Sequence, residues 1–206
     1  MRQLCFLLLM ILTISASITA EPAIRLIKLF ESGKDEYHTY RIPALAITEK
    51  GTLLAFCEGR KGSQSDSGDI DLLMRRSVDN GNSWETVQVI VDDGGNTCGN
   101  PCPIVDKRSE NIILLFCKNV GTANGDHILN GTAPPRSVWV TKSSDDGITW
   151  SAPVEISDQV RKPGWRWYAT GPCHGIQLTD GRLVAPCNHG TSNDDKDMHS
   201  HIIFSD

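Results

Sequence analysis

The sequence predicts an all-β protein of the propeller kind, and three observations carry that prediction. A turn motif, S-x-D-x-G-x-x-W, occurs as Ser77–Trp84 and again as Ser143–Trp150, and a further copy opens at Ser205-Asp206. An apolar run ending in cysteine occurs three times, as 51–57, 111–117 and 181–187. No segment after the first 20 residues has a helical period. Self-similarity at a period of roughly 60–70 residues marks a solenoid, propeller or array. Four short strands per period fit a propeller blade, whose flat faces neighbouring blades cover.

At the N-terminus, Met1-Arg2, the apolar run Leu4–Ile14 and the small residues up to Ala20 read as a cleavable signal peptide. The run is too short to cross a bilayer comfortably. The expectation is therefore an exported protein, periplasmic, extracellular or lumenal, with no membrane insertion after signal cleavage. Residues 21–206 then form part of one propeller domain, of about three units with the last cut short.

The first unit runs from the proline-bearing strand Arg41-Ile42-Pro43-Ala44-Leu45, through a turn at Glu49-Lys50-Gly51, to the strand ending at Cys57. Ile70–Arg75 leads into the turn motif, and Val87–Val91 comes after it. The second unit repeats this with Asn100–Val105, Asp106-Lys107-Arg108, the strand ending at Cys117, Ser137–Thr141 and Val154–Ile156. The third has Gly171–Ile176, Thr179-Asp180-Gly181, the strand ending at Cys187 and Ser200–Phe204. The Gly- and Asn-rich stretch 121–135 reads as a long surface loop carrying the sequon Asn130-Gly131-Thr132.

The turn motif is read as structural. The hydroxyls of Ser77 and Ser143 and the carboxylates of Asp79 and Asp145 can accept backbone N–H groups within the turn. Gly81 and Gly147 supply positive φ, and Trp84 and Trp150 anchor the next strand.

A formal charge of −5 with no clustered basic stripe excludes nucleic acid as an expected partner. Of seven cysteines, Cys5 lies in the signal segment. Cys57, Cys117 and Cys187 hold equivalent positions in different units, which are often too far apart for a disulfide, and read as small buried thiols. Cys98 and Cys102 are the nearer local pair; no second close pair accompanies them to complete a zinc site. The stretch His189, Asp194, Asp195, Asp197, His199, His201 reads as a solvated loop, and no metal is expected there.

Chemistry is expected in the polar loop Glu58–Asp69. Together with Arg41 upstream, it resembles exo-α-sialidases with Asp-box (BNR) repeats. Tyr40-Arg41-Ile42-Pro43 is similar to that family's F/Y-R-I-P signature. Arg60 followed six residues later by Asp66 matches its second arginine and acid/base aspartate. Asn100-Pro101-Cys102-Pro103 and Tyr168–Leu178 resemble two further family segments.

The resemblance implies a six-bladed propeller, of which this chain is about the first three blades. It implies release of terminal α-linked sialic acid with retention and without a cofactor. Arg41 would hold the substrate carboxylate through a planar pair. Asp66 would protonate the glycosidic oxygen and later deprotonate water, and Arg60 would orient it and contact a sugar hydroxyl. Asn100 and Tyr168 would contact the sugar, while Trp165 and Trp167 serve either the sugar or packing. The nucleophilic tyrosine, its activating glutamate and two further arginines would lie in later blades. A non-catalytic propeller that binds glycans or proteins is the alternative, and a trans-sialidase cannot be separated from a hydrolase on these residues.

Half a propeller leaves a blade face and strand edges bare. These 206 residues expressed alone are thus expected to be inactive and prone to aggregate, which size-exclusion chromatography with a sialoside assay checks.

Overall fold

The computed structural model describes residues 24–194 and 197–205. The expected signal segment lies outside the described residues. Three antiparallel blades succeed one another along the chain. The first contains β1 (Thr39–Ile47), β2 (Leu53–Arg60), β3 (Ile70–Ser77) and β4 (Gln88–Val91). The second contains β5 (Thr97–Asp106), β6 (Asn111–Asn119), β7 (Ser137–Ser143) and β8 (Val154–Glu155). The third contains β9 (Trp167–Thr170), β10 (Ile176–Gln177), β11 (Leu183–Gly190) and β12 (Met198–Ser205). The blades form an open arc. A single parallel bridge, Ile70 to Thr97, links the first two, and no sheet closes on itself among the described residues.

Each expected strand is present except in the third unit, where Gly171–Ile176 falls in the gap between β9 and β10 and only Ile176 is paired. Two short helices were not expected: α1 (Gly125–Leu129), capped by the Asn124 side chain, and α2 (Ser157–Val160). Helices this short leave almost no periodic signal in a sequence. The first one converts part of the expected loop 121–135 into a folded wall, while Gly131 and Thr132 of the sequon stay exposed.

The middle blade is covered on both faces, which explains why β6 reads as an unbroken apolar run. Ile112, Leu114 and Phe116 face the first blade and pack with Leu54, Phe56, Leu72 and Met74. Leu115 and Cys117, of opposite parity, face the third blade beside Ala185, Tyr168 and Cys187. The outer faces are barer: Leu45 and Ile47 on β1 and Ile202 and Phe204 on β12 are exposed.

A repeated backbone device shapes the inner strands. The residue before proline has positive φ in all three blades: Ile42 (56°), Asn100 (59°) and Gly171 (71°). In β1 and β5 the pairing register shifts at these points, between Arg41 and Ala44 and between Gly99 and Cys102. Such a bulge turns the strand over and re-aims the side chains beyond it. It also separates Cys98 from Cys102. Cys98 packs toward the first blade and Cys102 toward the third. The expected local pair is therefore corrected: both are free, buried thiols, and burial holds each at a pKa of about 12.

The two turn motifs fold as the sequence implies. Asp79 Oδ1 accepts the Ser77 hydroxyl (2.8 Å) and the Ser83 N–H (2.9 Å), and Gly81 N–H reaches Ser77 Oγ at 2.9 Å. Asp145 accepts the Ser143 hydroxyl at 2.8 Å and the Thr149 N–H at 2.8 Å, and Gly147 N–H reaches Ser143 Oγ at 2.9 Å. Gly81 and Gly147 both have φ of 82°. The bonds from the Ser83 and Thr149 hydroxyls and N–H groups hold Asp79 and Asp145 at a pKa of about 2. Their ionised forms support the fold above the ordinary carboxylate pKa, and that support fades as pH falls through about 2. Trp84 Nε1 donates to the Gly81 carbonyl at 3.2 Å, and Trp150 meets Phe56 edge-on across the blade interface.

The second motif also joins two blades. Asp146 Oδ2 accepts the Thr52 hydroxyl at 2.6 Å and lies 3.3 Å from Arg76 Nη2, while Arg76 Nε donates to the Asp146 carbonyl at 3.0 Å. Asn80, the matching residue of the first motif, is exposed. Both positions have positive φ, so glycine removes each side chain without backbone strain. Asp146→Gly is expected to cost about 1–3 kcal/mol and Asn80→Gly less than about 0.5 kcal/mol, measured by urea denaturation of the whole gene product.

Candidate active site

The bulges carry Arg41 and Asn100 to the same end of the arc, where β2 runs out into the loop 61–69. Arg60, the last residue of β2, is 2% exposed despite its charge. A buried guanidinium needs several partners, and here it has them. Nε and Nη2 grip Glu58 Oε2 at 3.1 and 2.6 Å. Nη1 donates to the carbonyls of Gln64 and Ser65 at 2.6 and 2.9 Å, and lies 2.7 Å from Asp66 Oδ1. Arg41 Nη1 donates to the same Asp66 oxygen at 2.8 Å. Two guanidinium groups thus converge on one carboxylate whose side chain is 73% exposed. The six-residue step from Arg60 to Asp66 is just long enough for the loop to fold back onto its own anchor.

Glu58 connects this loop to the second blade. Its other oxygen, Oε1, accepts the Asn100 N–H at 2.9 Å. Gly99 leaves the space: a Cβ there would lie 2.7 Å from Glu58 Oε1. Asn100 Oδ1 then accepts from Arg136 Nη1 at 2.8 Å, which also reaches the Tyr168 carbonyl at 3.1 Å. Arg136 Nε donates to Asn119 Oδ1 at 3.0 Å, and its guanidinium lies 4.6 Å from the Trp167 ring centre. One polar chain therefore runs from Asp66 through Arg60, Glu58, Asn100 and Arg136 to β9 and spans all three blades.

A cleft of about 210 Å³ opens beside Asp66, between Ser65, Ser67, Asn119, Asn124, Ile128 and Trp167. A larger cleft, about 600 Å³, lies along the inner strands between Leu45, Trp84, Val105 and Ile176. That wall is mostly apolar, so the smaller cleft, beside the carboxylate on which two guanidinium groups converge, is the candidate site.

Two expectations are revised by these positions. Tyr168 was expected to contact a sugar, yet it is 0% exposed and its hydroxyl lies 3.0 Å from His201 Nε2. Side chains alternate along a strand, so its neighbour Trp167 takes the cleft side. The polar composition of the stretch beginning at His189 suggests a solvated loop. His189 is instead 8% exposed, and β12 runs through His199 and His201. No group of side chains suited to a metal occurs among the described residues.

Glu58 and Arg136 were not singled out from the sequence. Glu58 did leave a signal, since a charge directly after an apolar strand that ends in cysteine needs a buried partner. Arg136, after two prolines, left none.

The three tyrosines are engaged elsewhere. Tyr37 donates to the buried Asp71 at 2.7 Å, Tyr40 donates to the Lys34 carbonyl at 2.7 Å, and Tyr168 is enclosed. Desolvation raises all three phenols, Tyr40 to about 12.

Comparison with known proteins agrees with this architecture. A family model described as BNR repeat-like domain matches residues 51–206. An Aspergillus fumigatus protein named exo-alpha-sialidase is 40% identical over 169 residues, covering 73% of this chain and 41% of that protein. A Bacteroides fragilis sialidase is 34% identical, covering 75% and 31%. Human sialidase-3 is 32% identical, covering 77% and 39%. Among solved structures, the Hadza microbial sialidase Hz136 superposes with a TM-score of 0.75 at 32% identity, covering 84% of this chain and 36% of that one. Trypanosoma rangeli sialidase shares the fold, with a TM-score of 0.67 at 18% identity over 82% of this chain and 29% of that one. The chain belongs to the BNR-repeat exo-α-sialidase family, and it spans about two fifths of the length of the curated relatives it matches.

Removing the Glu58 carboxylate strands Arg60 in the interior. Glu58→Ala is expected to destabilise the whole gene product by about 3–5 kcal/mol, read by chemical denaturation, with faster proteolytic cutting between Gly62 and Asp66.

Proposed function

We propose that this chain supplies the acid/base half of an exo-α-sialidase site. The protein carrying it would release terminal α-linked sialic acids from glycoproteins, glycolipids or oligosaccharides. One observation carries the reading: Arg41 and Arg60 meet on the single exposed carboxylate of Asp66 at the mouth of a cleft. Membership of the sialidase family supports it.

The roles rest on the chemistry of each group. Asp66 protonates the glycosidic oxygen as the bond to the anomeric carbon breaks, and then takes a proton from the incoming water. Arg60, held by Glu58, fixes the loop that presents Asp66. Arg41, with a side chain 47% exposed, exchanges part of its contact with Asp66 for the substrate carboxylate. A guanidinium suits that task because its planar fork matches a carboxylate. Asn100 contacts the sugar from the second blade, and Trp167 walls the cleft.

The nucleophile comes from outside the described residues, since Tyr37, Tyr40 and Tyr168 are all engaged. A neutral tyrosine suits a substrate that is itself anionic, because a carboxylate nucleophile would meet charge repulsion; retention results from the covalent intermediate. The leader at 1–20 directs export.

The test uses the whole gene product with a fluorogenic sialoside. Asp66→Ala is expected to lower kcat by about 10²- to 10⁴-fold, while Arg41→Ala mainly weakens binding of the carboxylate. Proton NMR of the first product should show the retained anomer. Sialoside binding with no turnover in the unaltered protein would leave a glycan-binding propeller instead.

A further inference from the structure

We infer that His189, His201 and Trp165 form an acid-sensitive latch that ties β11 and β12 to the segment entering β9 and so fixes β9, the strand that walls the cleft. This goes beyond the catalytic reading and does not depend on it.

The geometry is specific. His189 Nδ1 lies 3.1 Å from His201 Nδ1, and His201 Nε2 lies 3.0 Å from the Tyr168 hydroxyl. The Trp165 ring stacks flat on His189, with centroids 3.4 Å apart and planes 9° apart. A contact between two Nδ1 atoms holds one hydrogen, so one ring donates and the other accepts. With both rings neutral, the Tyr168 hydroxyl extends the same line of hydrogen bonds. One added proton can be carried by His201, which then donates from both nitrogens. A second proton sets N–H against N–H, and the contact opens.

The surroundings oppose even the first proton. Cys187, Cys117 and Val138 form the buried floor with Tyr168, and Ile156 and Val160 add only apolar surface. The titratable neighbours are Tyr168 from β9, Cys187 from β11, Cys117 from β6, His199 from β12 and Lys162 from the loop after α2. Lys162 Nζ lies 5.8 Å from the Trp165 ring centre, and among the described residues no carboxylate contributes to either ring. Desolvation lowers both imidazoles first. His201, His199 and Lys162 lower His189 further, and Lys162 lowers His201. A histidine whose folded pKa lies below its unfolded value stabilises the fold above the unfolded value. That stabilisation is lost as pH falls through the folded value. The window is therefore the mildly acidic range below the ordinary histidine pKa of about 6.5.

The latch connects directly to the cleft. Tyr168 and Trp167 are adjacent on β9, and the Tyr168 carbonyl receives Arg136, which fixes Asn100. Arg136 N–H also donates to the Arg166 carbonyl, beside Trp165, at 2.9 Å. Opening the latch loosens the strand on which these contacts rest.

The experiment tracks tryptophan emission and Tm of the whole gene product from about pH 8 to about pH 5. Stacked imidazolium quenches indole emission, so the latch predicts a change in emission below the ordinary histidine pKa that Trp165→Phe removes. It also predicts a fall in Tm over the same range that is smaller in His201→Gln, which keeps a hydrogen-bonding side chain but cannot be protonated. An emission titration unaltered by Trp165→Phe would overturn the latch, as would an equal fall in Tm in His201→Gln. If that variant fails to fold, the Trp165→Phe comparison decides alone.

Discussion

Everything at the open end of this arc depends on the carboxylate of Glu58. It is buried, and each of its oxygens serves a different blade: one binds the Arg60 guanidinium, the other the Asn100 backbone N–H. A buried charge pair is costly unless every remaining polar atom finds a partner. The cost is offset here because Arg60 uses its other nitrogen on two loop carbonyls and on Asp66. The exposed aspartate thus stands on a rigid internal base although it sits in a loop of Ser and Gly. Preorganisation of this kind is what acid–base chemistry needs from a scaffold.

The blades themselves are joined by two kinds of contact. Apolar packing acts over the whole interface, with β6 contributing side chains of alternate parity to the two neighbouring cores. Polar contacts then set the relative placement, through Asp146 with Arg76 and Thr52, and through Arg136 with Asn100. Packing alone is non-directional, so these few polar pairs fix the register between sheets.

Much of the fold was legible because its signals are local. The S-x-D-x-G-x-x-W turns, the strands ending in cysteine and the step from Arg60 to Asp66 can be recognised within a few residues of one another. What stayed hidden depends on contacts distant in sequence or on strand parity. Arg136 meets Asn100 from 36 residues away, and nothing near either residue indicates it. Tyr168 is enclosed and Trp167 lines the cleft because parity in the third blade depends on how β9 and β11 pair. The Cys98–Cys102 pair failed for a related reason, since a proline is visible in the sequence but the bulge before it is not.

That bulge has a wider consequence. In the first two blades the inner strand changes face at its proline, so one stretch of chain does two separate jobs. In β1, Ala44 and Ala46 pack into the core on one side of Pro43 while Arg41 reaches Asp66 on the other. In β5, Cys102 and Ile104 pack below Pro101 while Asn100 faces Arg136 above it. Above the kink the half-exposed Arg41 can change without repacking the interior, whereas Cys98, on the same side of Pro101 as Asn100, is part of it. A propeller built this way can vary an exposed residue at one end of an inner strand while the other end stays locked in the core.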